Sequence, residues 1–200
     1  MHKPAPADAA IHDLIRNRWS PRAFSDKPIP PDVLRKIFEA ARWAPSSNNE
    51  QPWAFLVATR DDHENFGKTL GTLVEFNAGW ARHAAALAIA VSKLHFANGN
   101  PNRNAQYDTG AASVLLTLEA VAQGLVTHQM AGFDPQTAKQ TFGIPEGWEP
   151  IAAIAIGYPG DPNSLPDKLR ERELAPRTRK PVKDFVMMGR WGHTATFAAK

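Results

Sequence analysis

The sequence contains no cysteine, which excludes disulfide bonds, thiolate metal sites and cysteine nucleophiles. It also has no apolar run approaching the ~20 residues that a membrane helix needs. The first ten residues lack the apolar core of a signal peptide. We therefore expect a soluble protein located in the cytoplasm, without a membrane partner.

Four familiar patterns of ligand-binding and catalytic residues are also missing. The seven histidines show no His-Glu-x-x-His spacing, so we expect no metal site. No Gly-x-Gly-x-x-Gly or Walker sequence appears, so a nicotinamide would be a transient substrate rather than a resident cofactor. No Gly-x-Ser-x-Gly surrounds Ser46 or Ser47, which excludes serine nucleophiles of that hydrolase type.

With 43% hydrophobic residues in 200, the chain can bury the core of one domain or of one protomer of an oligomer. The formal net charge of +3 is mildly basic and suits anionic small molecules as well as nucleic acid. We expect a single domain spanning residues 1–200. Residues 1–7 are predicted to form a loose arm, and the aromatic tail at 182–200 is predicted to dock on another surface.

Hydrophobic periodicity predicts both helices and strands. Helices are expected from Asp8, as N-cap, to Arg18, from Pro31 to before Pro45, over 108–123 and over 135–142. Strands are expected over 53–59, 84–92, 126–131 and 149–157, and the near-continuous apolar run at 84–92 predicts burial on both faces. Residues 60–73 are expected to form a polar connection with helical character. The helix at 108–123 is apolar nearly all round, which predicts packing on more than one side. The stretch 159–181, rich in proline and charge, is predicted to be solvated or to bind nucleic acid.

The stretch Arg18-Trp19-Ser20-Pro21-Arg22 places two guanidiniums and a hydroxyl within five residues. In an extended segment, alternate residues point the same way, so Arg18, Ser20 and Arg22 can face one ligand while Trp19 faces away. Guanidiniums fork onto phosphate oxygens and ring carbonyls. Taken alone, the stretch is more typical of a solvated basic turn than of a binding site.

A second polar stretch, Pro45-Ser46-Ser47-Asn48-Asn49-Glu50-Gln51-Pro52-Trp53, is bracketed by prolines and can present hydroxyls and amides at a fixed place. Its serines could equally cap backbone groups within the loop. In their order and spacing, the two stretches together resemble the Arg-x-Ser-x-Arg and Pro-Ser-Ser-x-x-x-Gln-Pro-Trp motifs of the flavin-dependent nitroreductase family.

This resemblance implies an α+β fold with a mixed sheet flanked by helices, in an intertwined homodimer that binds FMN between its subunits. The implied FMN-binding residues come from five pieces of the chain: Arg18, Trp19, Ser20 and Arg22; Pro45, Ser46, Ser47 and Asn49 of a partner copy; Asn77; Met130, Ala131 and Gly132; Arg177 and Arg179. Asn77 is otherwise typical of a helix cap. Many relatives carry an acidic residue at the position of Ala131, so only a backbone contact is expected there.

The roles implied by the resemblance fit the charges. Arg18, Arg177 and Arg179 would offset an FMN phosphate of roughly −1.5 to −2. Arg22 would face the N1 and C2-carbonyl edge of the flavin and raise its reduction potential.

The implied activity is a two-step, ping-pong reduction of a nitroaromatic, quinone or activated carbonyl compound by NADH or NADPH. No side chain is expected to act as catalytic acid or base, because the chemistry would occur at flavin N5. One alternative is a non-catalytic flavin-binding or storage protein. Another is nucleic-acid binding through residues 170–183. The lack of any aromatic residue within that segment counts against base stacking.

Overall fold

Four apolar stretches form the strands of one sheet in the computed structural model, which describes residues 2–199. They are β1 (Trp53–Thr59), β2 (Ala86–Lys93), β3 (Val126–Met130) and β4 (Trp148–Gly157), in the order β1-β2-β4-β3. All neighbouring pairs run antiparallel. The predicted α+β class is confirmed, but the sheet was predicted as mixed and is antiparallel within the described residues. Strand direction depends on the connections between strands, which hydrophobic patterning does not reveal.

Seven α-helices within residues 2–199 cover both faces of this sheet. They are α1 (Asp13–Asn17), α2 (Pro31–Arg42), α3 (His63–Gly71), α4 (Glu75–Ala81), α5 (Ala105–Ala122), α6 (Pro135–Phe142) and α7 (Asp167–Leu174). Each face of the sheet has its own hydrophobic core, and strand β2 contributes to both because its side chains alternate between the two faces. Leu87, Ile89 and Val91 join the core that holds Trp80, whereas the alanines between them face the core of α2 and α5. The predicted burial of this strand on both faces is confirmed.

The first helix is shorter than predicted. It begins after His12, whose side chain accepts a hydrogen bond from the Leu14 N–H, so Asp8 is not the N-cap. The apolar residues that suggested a longer helix, Ile11 and Ile15, are 40% and 51% exposed in the single chain. Their periodicity therefore marks a surface stripe rather than a buried helix face.

The predicted helical character of residues 60–73 is confirmed by α3, and α4 follows it, so Asn77 lies within a helix. Two other segments have more structure than the sequence indicated. The charged stretch at 159–181 contains α7. Residues 2–7, predicted to be a loose arm, are hydrogen-bonded: the Ala5 N–H donates to the Arg16 carbonyl. Met1 and Lys200, the ends of the predicted arm and tail, lie outside the described residues.

Part of the surface of the single chain is strongly apolar. In the tail, Phe185, Trp191 and Phe197 are 62%, 90% and 70% exposed. On α5, Tyr107 and Val114 are also exposed, so this helix is not enclosed on all sides as predicted. A membrane-spanning helix would need more length and apolar character than any helix within residues 2–199 has.

Candidate functional site

The backbone around Arg18–Arg22 is hydrogen-bonded by two side chains, those of Glu173 and Arg177, that lie about 150 residues later in the chain. The Glu173 carboxylate accepts hydrogen bonds from the backbone N–H groups of Arg22 and Ala23, at 2.8 and 3.1 Å. The Arg177 guanidinium donates to the carbonyls of Arg16 and Arg18, at 2.9 and 2.8 Å. A carboxylate and a guanidinium thus fix the two ends of the first motif.

Arg177 also donates to the Lys3 carbonyl at 2.9 Å, and this bond ties down the N-terminal arm. These three bonds use three of the five N–H donors of a guanidinium. Only the remaining two are available for the phosphate contact predicted for Arg177. No pattern in the sequence indicated that Arg177 also organises the backbone around Arg18.

Three guanidiniums converge on one cleft. Arg18, Arg177 and Arg179 line a cavity of about 810 Å³ between the N-terminal segment and the tail. Burial lowers the pKa of Arg18, and the charges of Arg177 and Arg179 lower it further. The cations therefore repel one another, and within residues 2–199 none of the three forms a salt bridge. Such a cluster suits an anion that carries more than one charge.

The orientation of side chains in the first motif follows the extended backbone. Arg18 donates to the Ser20 hydroxyl at 3.2 Å, so the two side chains lie on one side, as predicted. The Trp19 ring faces the N-terminal arm, where Lys3 Nζ lies 5.0 Å from the ring centroid. Trp19 is thus in contact with the arm, away from the Arg18 and Ser20 side chains.

Arg22 connects the first motif to α4 through a contact with Trp80. Its guanidinium lies 5.8 Å from the centroid of the buried Trp80 ring. The same ring is 4.6 Å from that of His128 on β3, whose Nδ1 lies 3.0 Å from the Pro21 carbonyl oxygen. Burial is the main cause that lowers the pKa of His128 from 6.5 to about 4, so the imidazole is neutral at pH 7.

One helical turn before Trp80, Asn77 connects α4 to the segment after β3. Its side-chain amide donates to the Gly132 carbonyl at 2.9 Å. A Cβ atom at Gly132 would lie 2.5 Å from Asn77 Nδ2, so only glycine permits this approach. Met130 is buried in the core, whereas Ala131 is exposed. Helix α4 therefore contacts Arg22 through Trp80 and the Gly132 carbonyl through Asn77.

The second motif forms a strained loop. Asn48, Asn49 and Gln51 all have positive φ angles, of 52°, 56° and 49°. Such conformations cost on the order of 1 kcal/mol each and cluster at ligand-binding sites. The Ser46 hydroxyl accepts from the Gln51 N–H at 3.0 Å, and buried Asp108 accepts from the Ser47 N–H at 3.0 Å. The capping alternative for Ser46 is thus borne out, since its hydroxyl satisfies the loop backbone.

Within one chain the two motifs lie far apart. The loop precedes Trp53, which pairs with Ser92 at one end of β1. Phe24, just after the first motif, pairs with Pro159 beyond the C-terminal end of β4. That end of the sheet contains Thr59, six residues or about 20 Å further along β1. Pro45, Ser46, Ser47 and Asn49 are therefore not brought to the arginine cluster of their own chain.

Sequence reasoning missed four residues of this arrangement: Trp80, Asp108, His128 and Glu173. For Glu173 a signal existed, because it follows the buried Leu169 by four residues and so shares its helix face. Histidine and carboxylate side chains within residues 2–199 nowhere gather in threes with a geometry suited to a metal ion.

The fold is α+β, and the arginine-lined cleft has the charge that suits an anionic ligand. The model of the nitroreductase family matches residues 15–158. A solved crystal structure of an oxidoreductase containing FMN is 35% identical, with a TM-score of 0.90, and the match covers 95% of this chain and 97% of the other.

Two curated relatives are putative NADH dehydrogenase/NAD(P)H nitroreductases. The relative from Streptomyces coelicolor is 29% identical over 180 residues, covering 80% of this chain and 86% of its own. The relative from Archaeoglobus fulgidus is 30% identical over 152 residues, covering 74% and 84%. The chain belongs to the nitroreductase family, and its predicted family is confirmed. It is accordingly an oxidoreductase.

Proposed function

We propose that the protein is an FMN-dependent oxidoreductase that uses NADH or NADPH to reduce nitroaromatics, quinones or related small oxidised acceptors. The observation that carries this proposal is the convergence of Arg18, Arg177 and Arg179 on one cleft, where none of them forms a salt bridge within residues 2–199. A phosphate of roughly −1.5 to −2 would relieve their mutual repulsion. The 35% identical oxidoreductase containing FMN supports the choice of ligand.

In this proposal, the arginine cluster and Ser20 hold the phosphate and ribityl chain. Arg22, whose guanidinium lies against Trp80, would face the pyrimidine edge of the ring system. The Asn77 amide nitrogen is used by the Gly132 carbonyl, which leaves its side-chain oxygen to accept from a ring N–H. Backbone groups of Met130, Ala131 and Gly132 would border the ring.

When bound, FMN would supply the redox chemistry, taking a hydride from the nicotinamide and returning electrons to the acceptor in a second, ping-pong step. The protein supplies binding, orientation and electrostatics. The positive charge of Arg22 favours the more negatively charged reduced state and so raises the reduction potential. Because no acid or base is required of a side chain, we assign no catalytic residue. We place the protein in the cytoplasm, where reduced nicotinamides are available.

We further propose that the site is completed by a second copy of the chain. The Pro45–Pro52 loop lies at one end of the sheet and Phe24, just after the first motif, lies beyond the other end, about 20 Å away along β1. The exposed aromatic residues of the tail and of α5 supply the apolar surface that an obligate dimer needs. In such a homodimer, Ser46, Ser47 and Asn49 of one copy would border the FMN held by the other.

The test is spectroscopic. Protein reconstituted with FMN is mixed anaerobically with NADH or NADPH while the visible flavin absorbance is followed. We expect bleaching by the nicotinamide and recovery when a nitroaromatic or quinone is added. Retained FMN without bleaching would instead support a flavin-binding or storage protein, and failure to bind FMN would overturn the proposal.

A matched pair of variants tests the cleft. Arg18→Met removes a guanidinium of the cluster, whereas Arg16→Met removes an exposed guanidinium two residues away. We expect the first variant to weaken FMN binding at least tenfold, about 1.4 kcal/mol, and the second to leave it unchanged. Equal affinities would show that the phosphate lies elsewhere.

The shared site is tested by subunit complementation. Arg18→Met and the double variant Ser46→Asp/Ser47→Asp should each lose FMN, for different reasons. After the two are unfolded together and refolded, a mixed dimer has one site with both defects and one with none. Random assortment then restores about a quarter of the FMN sites. No restoration, with mixed dimers demonstrated by mass spectrometry, would mean that each copy holds FMN alone.

A further inference from the structure

Glu173 is a buried carboxylate in an unfavourable place. Its side chain is 1% exposed, and it lies in the last turn of α7, where the helix dipole disfavours negative charge. A buried carboxylate is costly unless it is compensated by hydrogen bonds and an opposite charge. The contacts of Glu173 therefore indicate which group compensates its charge.

Those contacts point to Arg22. Oε1 accepts from the backbone N–H groups of Arg22 and Ala23, while Oε2 lies 3.9 Å from Arg22 Nη1. The second contact is an ion pair without a hydrogen bond, because Glu173 Oε2 and Arg22 Nε are both buried and unpartnered within the described residues. One oxygen thus anchors the Arg22 backbone, and the other offsets the charge of its side chain at slightly longer range.

Two opposing charges act on Arg22. Burial is the main cause that lowers the pKa of the Arg22 guanidinium. Of the two charges, Glu173 raises this pKa and Arg172 lowers it. The positive potential that Arg22 presents therefore depends on the carboxylate behind it. Lys3 Nζ donates to the Glu173 backbone carbonyl, which ties the N-terminal arm to the same point.

Resting on the FMN site proposed above, we propose that Glu173 is a positioning residue for Arg22: it fixes the guanidinium against Trp80 and reduces the positive charge that the cofactor experiences. The carboxylate then sets the reduction potential through Arg22 without contacting the cofactor. Removing its negative charge while keeping an acceptor for the two backbone N–H groups should make the potential more positive.

The first experiment needs no cofactor. A double-mutant cycle compares urea unfolding of the apoprotein for wild type, Arg22→Met, Glu173→Gln and the double variant. We expect Arg22→Met to be strongly destabilised, because it leaves a buried carboxylate without its cation, and Glu173→Gln in that background to recover part of the loss. Additive effects would overturn the coupling between the two residues, whether or not FMN binds.

The second experiment measures the midpoint potential of bound FMN by anaerobic titration with a redox dye. We expect Glu173→Gln to bind FMN within about threefold of wild type and to shift the potential to a more positive value. The control is Glu171→Gln, the same chemical change at an exposed position of α7, which should leave potential and stability unaltered. An unchanged or more negative potential in Glu173→Gln, with wild type binding FMN, would reject the proposal. Absence of FMN binding by wild type would instead reject the proposed function.

Discussion

The buried carboxylate of Asp108 accepts a hydrogen bond of 3.0 Å from the backbone N–H of Ser47, which lies 61 residues earlier in the chain. This bond joins the start of α5 to a loop that contains three non-glycine residues with positive φ angles. Strained backbone persists only where its surroundings enforce it. Asp108 therefore holds the second motif in the shape it adopts, together with the Ser46 hydroxyl, which accepts from the Gln51 N–H.

Replacing Asp108 with alanine should lower the free energy of unfolding by about 1–3 kcal/mol, because the Ser47 N–H loses its acceptor. The Asp108→Asn variant keeps a carbonyl oxygen and should lose less. Urea unfolding measures both effects, and the rate of limited proteolysis within residues 45–52 reports on the loop itself. Wild-type stability in the alanine variant would mean that the loop is held by other contacts.

The approach of Asn77 to Gly132 gives a second prediction. In Gly132→Ala, the new Cβ would meet Asn77 Nδ2 at 2.5 Å and displace it from the Gly132 carbonyl. We expect a loss of about 1 kcal/mol in unfolding free energy together with weaker FMN binding. The control is Gly67→Ala in α3, where a Cβ has open space and should stabilise the helix by about 0.5–1 kcal/mol. Equal responses of the two variants would contradict the assigned contact.

Local patterns predicted those parts of the fold that depend on local chemistry. Strand β1 has the predicted bounds, and Gly143 ends α6 with a left-handed φ of 61° after the expected last residue Phe142. The direction of the strands and the burial of helix faces depend on distant segments. For this reason the antiparallel sheet and the exposed stripe of Ile11 and Ile15 were missed.

The candidate site also contains some residues that local sequence patterns predicted and others that they did not. The guanidiniums at Arg18, Arg177 and Arg179 could be named from their motifs, and the structure places all three on one cleft. The supporting contacts of Glu173 and Asp108 span 151 and 61 residues, so no local pattern contains their partners. From sequence alone, charged residues inside polar stretches are predicted to be solvated, and only the fold shows which of them are buried.

The buried imidazole of His128 makes stability depend on pH. Its pKa is about 4 in the folded protein, mainly because of burial, against 6.5 ordinarily. Above pH 6.5 the imidazole is neutral in both states; between 6.5 and 4 the unfolded chain binds a proton that the folded protein does not. Lowering the pH through this window should therefore remove up to about 3 kcal/mol of stability.

Urea unfolding at pH 7.5 and pH 4.5 measures this loss, and His128→Asn isolates it from the carboxylates that also titrate in acid. The variant should have a smaller difference between the two pH values than wild type. Identical differences would show that the imidazole is protonated in the folded state as easily as in the unfolded chain.

Arg177 and Arg179 lie two residues apart and line the same cleft, but their contacts predict different consequences of substitution. Arg177 donates to three backbone carbonyls, those of Lys3, Arg16 and Arg18, whereas Arg179 donates within the described part of the chain only to the adjacent Thr178 carbonyl. A lysine cannot reproduce the planar fork of a guanidinium. Arg177→Lys should therefore lower apoprotein stability by about 2 kcal/mol, as expected for losing hydrogen bonds from a charged group.

Arg179→Met should leave apoprotein stability within about 0.5 kcal/mol of wild type, since an exposed side chain is removed. If its charge serves the phosphate, FMN affinity should fall about tenfold, and more steeply at low than at high salt. Urea unfolding and fluorescence titration with FMN separate the two effects. A variant pair in which Arg179→Met loses stability and Arg177→Lys does not would reverse the roles assigned here, because the backbone carbonyls of Lys3, Arg16 and Arg18 would then have to be satisfied without Arg177.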